Sequence, residues 1–291
     1  MDRATLLAFA GVVVFGGLNG VGVAIVNGEI APLWGAALRF GSAAVILFAV
    51  AAARRIAWPR GGALVGSLAY GVLYFGIGFG LIHWALVDAP PGMTQVVLAV
   101  VPLAALLLAV AHRTEPFSWQ ALAGAILAVL GVAFVFGERL GTALPAIVLL
   151  AILGGALGIA YGTVVAKRFP GSHPVAGNAI AMAVGAALLV SASALLGEPW
   201  ALLESAGTWI WFAYLVVIGS VVVFVLFLYV VSRWTASATS YVWPLLPLVA
   251  IPFSALVTRE PITPRLLVGG AFVLAGVYLG AFAPALRGGS S

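Results

Sequence analysis

A stretch of this chain occurs twice. Pro102 to Gly131 reads P-LAALLLAVAHRT-EP-FSWQALA-G-AILAVL-G, and Pro247 to Gly276 reads P-LVAIPFSALVTR-EP-ITPRLLV-G-GAFVLA-G. Five anchors keep a single offset of 145: Pro102/Pro247, Glu115/Glu260, Pro116/Pro261, Gly124/Gly269 and Gly131/Gly276. Constant register at five positions marks an internal duplication of about half the chain. It divides the protein into a first repeat, 1–141, and a second, 142–291.

Composition decides what surrounds such a duplication. Of 291 residues, 64% are hydrophobic and 7% are charged, whereas a soluble domain carries about 25% charged residues. A soluble fold of this size has too little interior for so much apolar surface, so the solvent is lipid. A bilayer-spanning helix needs about 20 mostly apolar residues. Ten such segments can be placed, at 4–26, 32–53, 62–84, 92–112, 118–137, 144–166, 175–196, 208–232, 237–258 and 264–284. Thr263-Pro264 reads as an N-cap followed by proline at the first helical position, and Ser118 opens the matching helix. Met1 to Asn27 has too long an apolar run for a cleavable signal peptide.

The formal charge of +5 does not point to nucleic acid, because the basic residues sit singly or in short clusters at segment ends. With the N-terminus cytoplasmic, Arg3, Arg54, Arg55, Arg60, Arg113, Lys167, Arg168, Arg233 and Arg287 fall inside, against Arg139, Arg259 and Arg265 outside. The positive-inside rule therefore predicts both termini in the cytoplasm; six of the eight acids, Glu29, Asp88, Glu138, Glu198, Glu204 and Glu260, fall outside, but acids contribute little to the rule and carry no weight here. Five spans per repeat is an odd number, so the second half is inverted, with Glu115 on the inner side and Glu260 on the outer. Inverted repeats build carriers with a binding cavity near mid-membrane between the halves.

Polar residues inside spans are costly and so are the first candidates for a site. Arg39 has two readings: a carboxylate anchor for substrate, or a side chain that snorkels outward or pairs with a loop acid or a backbone carbonyl. His83 is either a proton-sensing group or an interfacial imidazole. The amides Asn19, Asn178 and Gln95 are candidates for substrate contact or for bonds between helices. Tyr74, Trp84, Tyr161, Tyr214 and Trp243 could together line an apolar, π-rich cavity, although any one of them alone is more often packing. Pro102 in the fourth span faces Pro244, Pro247 and Pro252 in the ninth, an asymmetry that reads as a gate or a static bend. No Asp or Glu lies mid-span, which favours facilitation or exchange over tight ion coupling. No cysteine, metal-ligand cluster, paired nucleophile and base, or phosphate loop is present, so no metal, cofactor or catalytic activity is expected.

The residues resemble a family at this point. Two five-helix halves, each with P-x12-E-P followed by G-x6-G, resemble the EamA-type branch of the drug/metabolite transporter superfamily. Leu81 to Thr94 also aligns with Leu226 to Thr239 at offset 145, setting Trp84 against Tyr229. Phe15-Gly16 and Tyr161-Gly162 match the family's aromatic-Gly pattern at offset 146. Within that branch the chain looks most like the YddG-type exporters associated with aromatic amino acids. The resemblance implies an all-α integral membrane protein of ten transmembrane helices in a bacterial inner membrane; a monomer is the expected form. It implies export of amino acids or related small metabolites by alternating access. Channel-like passage and proton-coupled multidrug efflux are the alternatives. The matched prolines, glutamates and glycines are mostly structural in that family and supply no ligand set.

Overall fold

The computed structural model describes residues 2–89, 91–136, 145–258 and 264–282, and over these it is helical with no strand. Ten helices there are long and apolar enough to cross a membrane: α1 (Arg3–Asn27), α2 (Pro32–Ala53), α3 (Gly62–Ala85), α4 (Met93–Ala111), α5 (Trp119–Phe136), α6 (Ala146–Arg168), α7 (Pro174–Leu195), α8 (Ala206–Arg233), α9 (Ala236–Phe253) and α10 (Pro264–Phe282). An apolar helix leaves its first four N–H groups without partners, and polar residues at the starts supply them. Asp2 accepts from the Thr5 amide at 2.8 Å, and Ser118 from the Ala121 amide at 3.2 Å. Proline stands at the first position of α2, α7 and α10. Thr263, Glu260 and Pro261 lie outside the described residues.

Two of the outer acids, Glu29 and Glu198, cap helices of the other half. Glu198, before α8, accepts from the Leu33 and Trp34 amides at the start of α2, at 3.2 and 2.9 Å. Glu29, before α2, accepts from the Glu204 amide at 2.9 Å and the Thr208 hydroxyl at 2.6 Å at the start of α8. Hydrogen bonds from Ser205, Thr208 and the Glu204 amide hold the Glu29 carboxyl down at about 2. Trp34 and Trp200 stack beside this network with centroids 4.9 Å apart.

The inverted repeat is written in the contact between α5 and α10. A Cβ built on Gly124 would lie 2.5 Å from the Gly276 carbonyl oxygen, and one on Gly131 would lie 2.7 Å from that of Gly269. The lower-numbered glycine of each helix thus meets the higher-numbered glycine of the other, so equivalent helices run antiparallel. Exchanging the repeats maps the contact onto itself, which is the signature of a two-fold relation. Glycine is required because both sides present backbone, which cannot yield.

Two departures from regular helix also repeat. A π-helical segment occupies Gly71–Phe79 in α3 and another occupies Val217–Val222 in α8; shifted by the repeat offset, the second falls inside the first. Such segments loosen the backbone ladder and gather at functional sites. α4 is interrupted between Leu98 and Val101, just before Pro102, and α9 at Tyr241, before Pro244, while Pro247 and Pro252 lie within the helix. Both spans that carry the matched proline are thus interrupted, since a proline supplies no N–H to the helix ladder, and α9 carries further prolines besides. α1 is interrupted at Leu18, whereas its counterpart α6 is continuous.

A central cavity as the candidate binding site

A cavity of about 640 Å³ lies between the halves. Three pairs on its wall are related by the repeat offset: Phe79 with Phe224, Ile82 with Phe227, and Leu98 with Trp243. It therefore straddles the pseudo-two-fold axis. Its mouth is formed by the α1–α2 connection from Asn27 to Pro32, by Val87 after α3, and by Pro199 before α8. Counting spans puts all three on the face opposite the N-terminus, so the cavity opens to that face.

Its polar wall leans on the π segment of α8 and on the break in α1. The π segment of α8 presents the Gly219 carbonyl and the Ser220 hydroxyl. Arg39, 2% exposed, donates from Nη2 to Gly219 O at 2.9 Å and from Nε to Ser220 Oγ at 2.8 Å. Asn19, just past the break in α1, donates from Nδ2 to the same carbonyl at 3.1 Å. A side chain at Gly219 would collide with Asn19 Oδ1 and come within 3.4 Å of Arg39 Nη2, so only glycine leaves the cluster intact. Of the two readings of Arg39, the carbonyl pairing is present, yet the residue also lines the cavity. Among the described residues no carboxylate pairs with it. A buried cation of that kind is costly unless something completes its environment.

Several atoms of the lining residues have no protein hydrogen-bond partner: the acceptors Asn19 Oδ1 and Gln95 Oε1, the donor Trp243 Nε1, and His83 Nδ1. Buried polar atoms normally find partners, and these four belong to residues that line one cavity. The cavity floor is aromatic. Tyr74 lies 5.8 Å from Phe224 and 5.6 Å from Phe227, and Phe79 lies 6.1 Å from Trp243, centroid to centroid. Each such pair adds about 0.5–1.5 kcal/mol beyond its buried area.

Of the predicted site residues, Asn19, Tyr74, His83, Gln95 and Trp243 come together on this wall, with Arg39. Four others do not reach it, and each is occupied elsewhere. Asn178 donates to the Phe224 carbonyl at 2.8 Å, tying α7 to α8. The Tyr214 hydroxyl donates to the Phe15 carbonyl at 2.6 Å, tying α8 to α1. Tyr161 stacks on His112 at 5.2 Å near the N-terminal face. Trp84 packs with Leu81 on a separate cluster around Ala85 and Ile152. Pro102, Pro244 and Pro247 are also absent from the wall. Sequence reasoning missed Phe79, Phe224, Phe227, Gly219 and Ser220. The first two form an offset-145 pair, and Gly219-Ser220 interrupts a run of branched apolar residues, so both signals were present.

No described residue of the loops at the N-terminal face lines the central cavity. The Glu115 carboxylate, 8% exposed, accepts from the Ala236 and Ser237 amides and from the Ser237 hydroxyl, capping α9 from the other half. The motif thus supplies a clasp between the repeats.

Comparison with known proteins agrees with this architecture. A profile described as the EamA-like transporter family matches the chain twice, over residues 3–137 and 146–281. YedA of Escherichia coli (strain K12), described as an uncharacterized inner membrane transporter, is 29% identical over 228 residues, covering 76% of this chain and 72% of YedA. A probable terminal-alkyne amino-acid exporter of Streptantibioticus cattleyicolor is 27% identical over 203 residues, covering 68% and 67% of the two chains. A crystal structure 17% identical to the chain superposes over 100% of both chains with a TM-score of 0.82, a likeness of fold.

Proposed function

The chain belongs to the EamA-like transporter family, and from that premise we propose that it exports neutral α-amino acids, aromatic ones included, across a bacterial inner membrane. The observation that carries this reading is Arg39, a buried guanidinium without a carboxylate partner among the described residues, on the wall of a cavity that also offers unpartnered acceptors. A zwitterion suits that set. Its carboxylate accepts from Arg39 and from Trp243 Nε1, and its ammonium donates to Asn19 Oδ1 and Gln95 Oε1. Charge-assisted hydrogen bonds of this kind contribute about 1.5–3 kcal/mol each. The side chain then lies on Phe79, Phe224 and Trp243. The amino-acid exporter among the relatives supports the same class.

The N-terminal face is assigned to the cytosol on the nine-to-three distribution of basic residues. The structure then corresponds to the outward-open state, and the halves 1–141 and 142–291 rock about the α5–α10 seam to expose the cavity on the other side. The carboxylate at the mouth, Glu29, is consumed in capping α8, which favours uniport or exchange over proton coupling. Counterflow into liposomes containing the purified protein, competed by each of the twenty amino acids, is the test. Saturable, trans-stimulated uptake of neutral amino acids is expected; no counterflow with any of them would sink the reading, and non-saturating flux would point to a channel.

A further inference from the structure

A second pocket, of about 220 Å³, lies at the N-terminal face between α3, α6, α7 and α8. Its position follows from the repeat. Leu228, Val231 and Ser232 on its wall are the offset-145 counterparts of His83, Leu86 and Val87, which line the central cavity toward its mouth. The same three places in the two repeats therefore lead toward opposite faces. Phe227 lines the central cavity while its neighbour Leu228 lines the second pocket. Tyr74 belongs to the first space and Tyr70 to the second, with ring centroids 4.8 Å apart. A partition of tyrosine and phenylalanine rings separates them.

The second pocket is not a symmetric copy of the outer mouth. It holds a cation, Lys167, at a place where the first repeat has Val21 or Gly22. The Lys167 ammonium donates to the Ser232 carbonyl at 3.3 Å, leaving two of its three donors for other acceptors. Tyr70, 1% exposed, lines the pocket with a hydroxyl that has no protein partner. Ser67 and Ser172 hydroxyls meet there at 3.3 Å. A cation and an orphaned phenol within a space smaller than a drug-sized cavity suit a small carboxylate-bearing metabolite.

We propose that this pocket is an entry subsite for the carboxylate of the transported amino acid, anchored by Lys167 and Tyr70 and separated from the central cavity by the Tyr70–Tyr74 partition. It rests on the transport reading above. It gives the two faces different affinities, since among the described residues the opposite mouth has no matching cation. A lysine in the last turn of a helix also favours the helix dipole, but that role is blind to the side from which substrate arrives.

The test is uptake of a neutral amino acid into right-side-out and inside-out membrane vesicles, giving a half-saturation concentration for each face. Lys167→Gln is expected to raise the N-terminal-face value about tenfold, with the opposite-face value unchanged and Lys167→Arg restoring it. Tyr70→Phe, which removes only the hydroxyl, is expected to shift the same face by a smaller factor and serves as the second probe should Lys167→Gln fold poorly. Equal shifts at both faces, or no shift at either, would overturn the entry subsite while leaving transport intact. Absence of saturable uptake by the parent protein would instead remove the transport reading, and the subsite with it.

Discussion

At the N-terminal face a buried carboxylate from one repeat clasps the first turn of a helix in the other. At the opposite face Glu29 and Glu198 also cap helices across the repeats, yet they do so around the rim of the mouth and leave its centre open. The two faces thus use the same device, a carboxylate on a helix N-terminus, for different ends. On the alternating-access reading proposed above, Glu115 is the contact that must release for the cavity to open toward the N-terminal face. Glu29 and Glu198 lie beside it and can stay made throughout.

The largest expected effect follows from that difference. Glu115→Gln keeps one acceptor oxygen and loses the charge, and charge-assisted bonds contribute about 1.5–3 kcal/mol. It should shift the equilibrium toward inward opening by about tenfold or more. The chain has no cysteine, so a Val231→Cys probe reports this cleanly: its labelling from the N-terminal face should accelerate, and unchanged labelling would deny Glu115 the clasp. Next in size is Arg39→Gln, expected to raise half-saturation about 10- to 100-fold from both faces, since the central site serves both states. A one-sided effect would place Arg39 in a gate. Trp243→Phe keeps the ring and removes one donor, and should weaken binding only about two- to tenfold, read by competition in counterflow.

The smallest effect concerns the rim. Glu29 titrates near 2 in the folded protein, below the ordinary carboxylate range, so its contribution is complete at neutral pH and is lost as pH falls from about 4.5 toward 2. Glu29→Gln should lower Tm slightly at pH 7, with the gap from the parent closing as the pH approaches 2. Transport kinetics should hardly change. A large kinetic effect would show that the rim moves, and would erase the contrast between the faces.

Much of this was legible from residues alone, for a physical reason. Anchors such as Gly124 and Gly276 recur because a helix contact that excludes every Cβ admits one residue type, so register survives duplication. The lipid-spanning count follows from hydropathy for the same kind of reason: nothing else solvates such helices. The site was harder to read. Asn19 and Asn178 are indistinguishable in sequence, both amides in apolar helices. Each donates its amide to a backbone carbonyl of α8 and keeps an unpartnered oxygen, and only the packing shows that Asn19 lines the cavity while Asn178 does not. The π segments left no periodicity signal, although the carbonyl at Gly219 that holds Arg39 depends on one.

The seam between α5 and α10 carries a further consequence. Because Gly124 meets Gly276 and Gly131 meets Gly269, a change on one helix is felt by its partner in the other half and never by its own repeat mate alone. A bulkier residue can enter only if the facing strip gives way at the same time. Descent from a half-length ancestor that paired with itself about a two-fold axis would have begun with such matched changes for free, from one gene; after fusion the two strips must be altered by separate mutations, which freezes the seam while the cavity walls diverge.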